Sequence, residues 1–252
     1  MSRNIIITGA SRGIGRAIAH KVPQAGDNVI INYLRNEEAA QSVVEELQEK
    51  GVVATAMQAN VRSEKDLKRL AAFFDTVDLL VHNAAIGALK PMEKLRTNHW
   101  DLTLESSLRP FWLLTKLCTF REGAQIIGLS SLGSRLFTPG YAAMGAAKAG
   151  VEALTRQLAV ELSPQKIRVN TVCGGLIDTD ALNYFPKGSF KIGELELENS
   201  KELLIERTKM ATPLGRIGVP EDLANAVWLL TQPEASWITG QVLVVDGGFS
   251  LL

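Results

Sequence analysis

The sequence is poor in the residues that build metal sites and disulfide frameworks. Its 252 residues include two cysteines, Cys118 and Cys173, and three histidines, His20, His82 and His99. None has the spacing of a zinc site. It also lacks a charge of one sign: 27 basic and 27 acidic residues cancel without a long run of either, which argues against a nucleic-acid partner. No apolar run approaches the ~20 residues that cross a bilayer. The opening "MSRNIIITGAS" meets a glycine too soon for a signal peptide. The expectation is a chain without a metal site, without a nucleic-acid or membrane partner, and at home in the reducing cytoplasm. There is no internal repeat, low-complexity tract or linker, so residues 1–252 read as one domain.

What is present is alternation. Short Val/Ile/Leu-rich runs at 4–8, 28–32, 52–57, 77–82, 124–130, 167–172 and 241–247 read as strands. Their continuous apolar character suits strands covered on both faces, hence a parallel sheet. Helical patterns lie between them at 14–25, 36–50, 64–74, 98–117, 141–162 and 220–231. This order predicts an α/β fold, a single doubly wound, Rossmann-type parallel sheet of about seven strands. Residues 178–219 break the rhythm after the sixth strand. Ligands in such sheets bind beyond the carboxyl ends of the strands, so this insertion is expected to be a substrate lid.

The first strand runs into "TGASRGIG", with Gly9, Gly13 and Gly15 spaced G-x-x-x-G-x-G ahead of a helix. Glycines let the backbone pass close to a pyrophosphate, and the helix N-terminus offers it free N–H groups and positive dipole. An acid after the second strand would bind a ribose 2′-hydroxyl and repel a 2′-phosphate. Here Asn32, Tyr33, Leu34 and Arg35 follow instead. Arg12 and Arg35 are placed to meet a 2′-phosphate with planar, paired donors, so NADPH is expected in preference to NADH. Asn60 and Val61 follow the third strand, where an adenine is held. Asn83, Ala84 and Ala85 follow the fourth, where small residues allow close approach.

The segments "TGASRGIG", "HNAA", Ser131…Tyr141…Lys148, "RVNTV" and "VDGG" occur together along nearly the whole chain. In that combination and order the sequence resembles the short-chain dehydrogenase/reductase family. The resemblance implies a cofactor set that adds Ser11, Ile14, Lys148, Gly174 and Ile177 to the residues above. It also implies a homotetramer or dimer built on helices 98–117 and 141–162 and the C-terminal segment. Two positions depart from the family pattern. The usual acid stands four residues before the lysine, where this chain has Met144, and the relay asparagine of helix 98–117 corresponds to Ser107. Tyr-x-x-Met-x-x-x-Lys is similar to the enoyl-acyl-carrier-protein reductase branch, and with an ordinary glycine turn the chain resembles its NADPH-dependent type III members.

The spacing has a chemical rationale. In enoyl thioester reduction negative charge develops on the thioester oxygen, two carbons beyond the hydride acceptor, so its donor must be displaced. On a helix Tyr141 and Lys148 share a face but lie two turns, roughly 10 Å, apart, and Pro139 and Gly140 at the helix entrance place Tyr141 at or before the first turn, where its phenol can reach into the substrate cleft. The expected roles are Tyr141 as donor to the substrate oxygen, Lys148 on the nicotinamide ribose, and Ser131 as a substrate or cofactor contact. Met144, Leu182 and Phe185 are expected to touch the substrate, an acyl thioester carried by acyl carrier protein. Tyr184, Phe190, Ile192 and Leu195 would extend the apolar pocket, with Lys187, Lys191 and Lys201 near an acidic carrier. Enoyl-acyl-carrier-protein reduction in fatty-acid synthesis is thus the leading expectation. A carbonyl reductase of the same family and a non-catalytic nucleotide-binding protein remain as alternatives.

Overall fold

The computed structural model describes residues 2–184, 191–192, 195–196 and 200–252. Seven parallel strands form one sheet in the order β3-β2-β1-β4-β5-β6-β9. They are β1 (Asn4–Ile7), β2 (Asn28–Tyr33), β3 (Val53–Gln58), β4 (Val77–His82), β5 (Phe120–Ser131), β6 (Arg168–Gly174) and β9 (Val242–Val245). A short antiparallel pair, β7 (Lys191–Ile192) and β8 (Leu195–Glu196), lies in the insertion. The expected seven-stranded Rossmann-type sheet is therefore what forms. The order reverses between β1 and β4, and such a switch point opens a crevice at the strand ends.

The apolar runs are continuous because each face of the sheet has its own core. Ile5, Ile7, Val29, Ile31, Leu79 and Val81 pack on one side against Ile18 of α1 (Gly13–Lys21), Val43 and Leu47 of α2 (Glu37–Gln48), and Val227 of α8 (Pro220–Thr231). Ile6, Ile30, Leu80 and Ile126 point the other way. They meet Leu67 and Leu70 of α3 (Glu64–Ala71), Phe111 of α5 (Arg109–Leu117), and Val151 of α6 (Ala142–Glu161). Ile5, Ile6 and Ile7 are all fully buried, and each such side chain contributes about 1.5–3 kcal/mol.

Two elements differ from the sequence reading. The helical run 98–117 is two helices, α4 (Thr97–Ser107) and α5, broken at Leu108. Pro110 opens the second, since its ring removes an N–H and is tolerated only in a first turn. The insertion contains a helix of its own, α7 (Ser200–Ala211), whose mixed polar and apolar residues show little helical periodicity. Among the described residues no helix is long and apolar enough to cross a membrane.

Asn32, only 2% exposed, ties three strand ends together. Its carbonyl accepts from the Gly9 N–H at 3.2 Å, and its amide donates to the Ala59 carbonyl at 3.1 Å. Truncation strands a buried donor and a buried acceptor. Asn32→Ala is therefore expected to lower the unfolding free energy by about 1–3 kcal/mol, read from urea denaturation. A loss below ~0.5 kcal/mol would show that the tie is not a structural one.

Candidate active site

The cofactor end is built by close backbone approach. Gly9 and Gly13 take φ of +64° and +53°, which L side chains rarely adopt. Gly15, inside the first turn of α1, faces the Gly9 carbonyl so closely that a Cβ would collide with it. The Asn83 amide donates to the Thr8 and Gly9 carbonyls at 3.0 Å each. The Thr8 hydroxyl in turn accepts the backbone N–H groups of Asn83 and Ala84 at 3.0 Å. Asn83 thus braces the glycine turn with its side chain, and Ala84 lies against Gly9.

This cradle fits a dinucleotide: among the described residues no side chain caps the N-terminus of α1, which leaves its N–H groups to an anion. Ser11, Ile14 and Arg12 belong to the turn, and Thr179 lies against Gly13 from across the crevice. Arg12 and Arg35 are exposed, and among the described residues neither side chain has a polar partner. Asn60 is engaged locally, its side chain accepting the Arg62 N–H at 3.0 Å, and Val61 packs against the second core. Gly174 ends β6 against Leu223, while the Ile177 side chain is buried in the first core and its backbone bridges Gly218.

The reactive end forms where β5 meets α6. The Tyr141 and Ser131 hydroxyls stand 2.9 Å apart. Tyr141 is not in the helix but caps it, following Gly140 at φ +69°. Its ring folds back over Gly133, where any side chain would strike it. Tyr141 stands at the helix entrance as Pro139 and Gly140 imply, and its contact with Ser131 takes the place of the displacement expected from the seven-residue spacing. A residue ahead of the first turn is free of helical geometry, so the phenol returns to the serine. Burial raises the Tyr141 phenol above its ordinary range, and the hydrogen bond with Ser131 opposes that.

Lys148 of α6 is 7% exposed, and its ammonium donates at 2.7 Å to the carbonyl of Leu129, two residues before Ser131 on β5. Burial brings it down to about 8, opposed by the neighbouring Cys173. Met144 is buried with its methyl against Gly87. Ser107 is buried too: its hydroxyl donates to the Ile86 carbonyl at 3.2 Å and its own carbonyl accepts from Nε2–H of His82 at 3.1 Å. Leu182 is buried. Phe185, Phe190 and Lys187 lie outside the described residues, as do the side chains of Tyr184, Lys191, Ile192 and Leu195. Lys201 donates to Asn183 at 2.9 Å, away from the hydroxyl pair in the chain. The sequence reading missed Thr8, Asn32, Thr179 and Glu152. The Thr of "TGAS" and the serines of "LSSLGS" were the signals for hydroxyls that hold backbone.

Comparison with known proteins follows this geometry. Residues 9–250 match the family model described as "Enoyl-(Acyl carrier protein) reductase". The chain is 37% identical over 256 residues to the 1-cyclohexenylcarbonyl-CoA reductase of Streptomyces collinus, covering 98% of this chain and 86% of that one. It is 35% identical over 257 residues to the 3-oxoacyl-[acyl-carrier-protein] reductase FabG of Staphylococcus epidermidis, covering 98% and 99%. A solved 7α-hydroxysteroid dehydrogenase, complexed with NADH and 7-oxo glycochenodeoxycholic acid, superposes with a TM-score of 0.84 at 32% identity, covering 98% and 93%. The chain belongs to the short-chain dehydrogenase/reductase family and is an oxidoreductase that uses a nicotinamide cofactor. The expectation of an enoyl-acyl-carrier-protein reductase is overturned. Relatives spanning the whole chain include several 3-oxoacyl reductases beside the cyclohexenylcarbonyl-CoA reductase, and the converged hydroxyl pair removes the geometric reason for preferring an enoyl-acyl-carrier-protein substrate.

The buried lysine has a measurable signature. An unfolded lysine keeps its proton to ~10.4, whereas Lys148 releases it near 8. Folding thus opposes a bound proton, and the penalty is fully present below about pH 8. It is relieved as pH rises toward ~10.4, because there the unfolded chain holds more protons. Lys148→Met is expected to be more stable than the parent at pH 7, with a gap that narrows between pH 8 and 10 in urea titrations. A gap independent of pH would contradict a charged buried lysine.

Proposed function

We propose that this protein is an NADPH-dependent carbonyl reductase whose substrate is a 3-oxoacyl thioester, presented on acyl carrier protein. The observation that carries the reading is the 2.9 Å meeting of the Tyr141 and Ser131 hydroxyls. Two hydroxyls that converge on one point can both donate to a single carbonyl oxygen. In ketone reduction that oxygen sits on the carbon that accepts hydride, and it is where charge develops. When bound in the crevice, a reduced nicotinamide would be the source of the hydride. Tyr141 gives its proton to the oxygen as the carbon becomes tetrahedral, so one hydride and one proton convert the ketone to a secondary alcohol. Ser131 holds the same oxygen in line. Lys148, anchored on Leu129, places positive charge beneath the crevice and favours the tyrosinate left behind.

The choice of NADPH rests on Arg12 and Arg35, exposed at the turn and at the end of β2 with no acid between strand and helix to repel a 2′-phosphate. A 3-oxoacyl substrate is favoured by the FabG relative that the chain matches end to end. In this reading the insertion 178–219 covers the acyl chain, with Leu182 as part of its floor, and the enzyme works in the cytoplasm. A homotetramer would cover Trp112 and Val160, 43% and 74% exposed on the outer faces of α5 and α6.

NADPH consumption with acetoacetyl and crotonyl thioesters tests the reaction. Consumption is expected with the keto substrate. Consumption with crotonyl thioester alone would sink the proposal. Tyr141→Phe should lower kcat by about 10²–10⁴-fold, the range of a lost general acid, and undiminished turnover would remove Tyr141 from the mechanism. Arg35→Ala and Arg12→Ala should each weaken NADPH binding about tenfold or more, the value of one charge-assisted contact, and leave NADH binding nearly unchanged. Equal loss for both cofactors would reject the 2′-phosphate assignment.

A further inference from the structure

Glu152 is a buried carboxylate for which the reaction above has no use. It is 6% exposed and lies on α6 one turn beyond Lys148. A carboxylate in that position needs several donors to hold its charge. Its Oε1 accepts the hydroxyls of Ser130 at 2.7 Å and Ser134 at 2.6 Å. Its Oε2 accepts Nε of Arg135 at 3.0 Å and pairs with Nη2 at 3.0 Å. Burial alone would raise this carboxyl, but the bonds from Ser134, Ser130 and Arg135 together bring it below the usual range, so it is anionic at neutral pH.

The donors are placed in a telling way. Ser130 directly precedes Ser131, whose hydroxyl meets Tyr141. Ser134 directly follows Gly133, on which the Tyr141 ring rests. Both contacts that locate the phenol are therefore flanked by residues fastened to Glu152. Ser130 also faces the Lys148 carbonyl at 3.4 Å, and Cys173 of β6 sits opposite Ser130 in register. One carboxylate thus pins the 131–134 turn to the helix that carries Lys148, and Tyr141 bridges the same two parts at its other end.

We propose that Glu152 is a positioning residue: through Ser130, Ser134 and Arg135 it fixes the 131–134 turn against α6 and so sets the contact between the Tyr141 and Ser131 hydroxyls. The kinetic consequence rests on the carbonyl-reductase reading, while the positional one does not. A misplacement of about 1 Å in a reacting group can lower the rate about 100-fold.

Glu152→Leu, Glu152→Gln and Ser134→Ala would be compared with the parent for kcat, KM, NADPH affinity by fluorescence, and thermal unfolding. Glu152→Leu is expected to lower kcat by about 10- to 100-fold with NADPH affinity within about twofold. Glu152→Gln, which keeps an acceptor for the two serines, should recover most of that loss. Ser134→Ala should lower kcat by about 3- to 10-fold and serves if the leucine variant does not fold. Unchanged kcat in a folded leucine variant, or kcat, cofactor affinity and stability all declining together in both Glu152→Leu and Ser134→Ala, would overturn the proposal. A crystal structure of Glu152→Leu, or of Ser134→Ala in its place, reads the same point without turnover. The hydroxyl separation should exceed the ~3.5 Å limit of a hydrogen bond; a retained 2.9 Å contact would overturn it. If the parent reduces no carbonyl substrate, the function proposed above fails, while the crystallographic separation still decides the role of Glu152.

Discussion

The reactive end of the sheet depends on how closely the glycine turn passes the end of β4. A single Cβ on Gly15 would meet both the Gly9 carbonyl and the Asn83 amide. Only because that atom is missing can the Asn83 amide bridge the Thr8 and Gly9 carbonyls at 3.0 Å. The bridge fixes the direction in which α1 presents its N-terminus, which is the anion-binding direction. It also fixes the direction in which the chain leaves β4. That segment runs on to Lys90, whose N–H donates to the Gly140 carbonyl at 2.8 Å. Gly140 sets the entry to α6 and hence the place of Tyr141. The cofactor cradle and the reacting phenol are thus positioned by one backbone crossing.

The absence of side chains does similar work further along α6. Gly145 lies so near the Gly133 carbonyl that a Cβ would collide with it, and Gly87 leaves room for the Met144 methyl. Methionine suits that gap because it is unbranched and adaptable. Met144 therefore closes the wall between α6 and the segment after β4, and Tyr141 reaches Ser131 from the helix entrance instead of from within its first turn. The phenol and the serine arrive at one point by a different route from the one that a four-residue Tyr–Lys spacing would take.

The sheet was legible because burial on both faces leaves a direct trace: runs such as "NIII" and "VDLLVH" are apolar at every position that two cores require. The glycine turn was legible because its need for left-handed φ shows as residue identity. Pro139 and Gly140 put Tyr141 at the helix entrance, but its contact with Ser131 was not legible, since the space above Gly133 exists only once β5 and α6 are packed. The break at Leu108 was readable in principle from Pro110. Glu152 was invisible for another reason. A lone acid on a helix is ordinarily solvated, and its donors Ser130 and Ser134 come from a different strand and turn.

Charge in the interior of the site is allotted, not merely present. Lys148, His82 and Glu152 are all buried beside one another's elements, and two cations without an anion would be unsupportable there. His82 is held neutral: burial first, then the Lys148 charge, depress it to about 4. Its Nε2–H is spent on the Ser107 carbonyl, so it does not compete for the crevice. That leaves Lys148 as the cation at this level of the helix and Glu152, one turn on, as the anion, each satisfied by β5 or by the turn that follows it. On the proposed reaction, an ammonium already softened by burial would gain most when a tyrosinate forms in front of it. The fold holds Lys148 at some cost in stability, and in that reading the gain would come where charge develops at Tyr141.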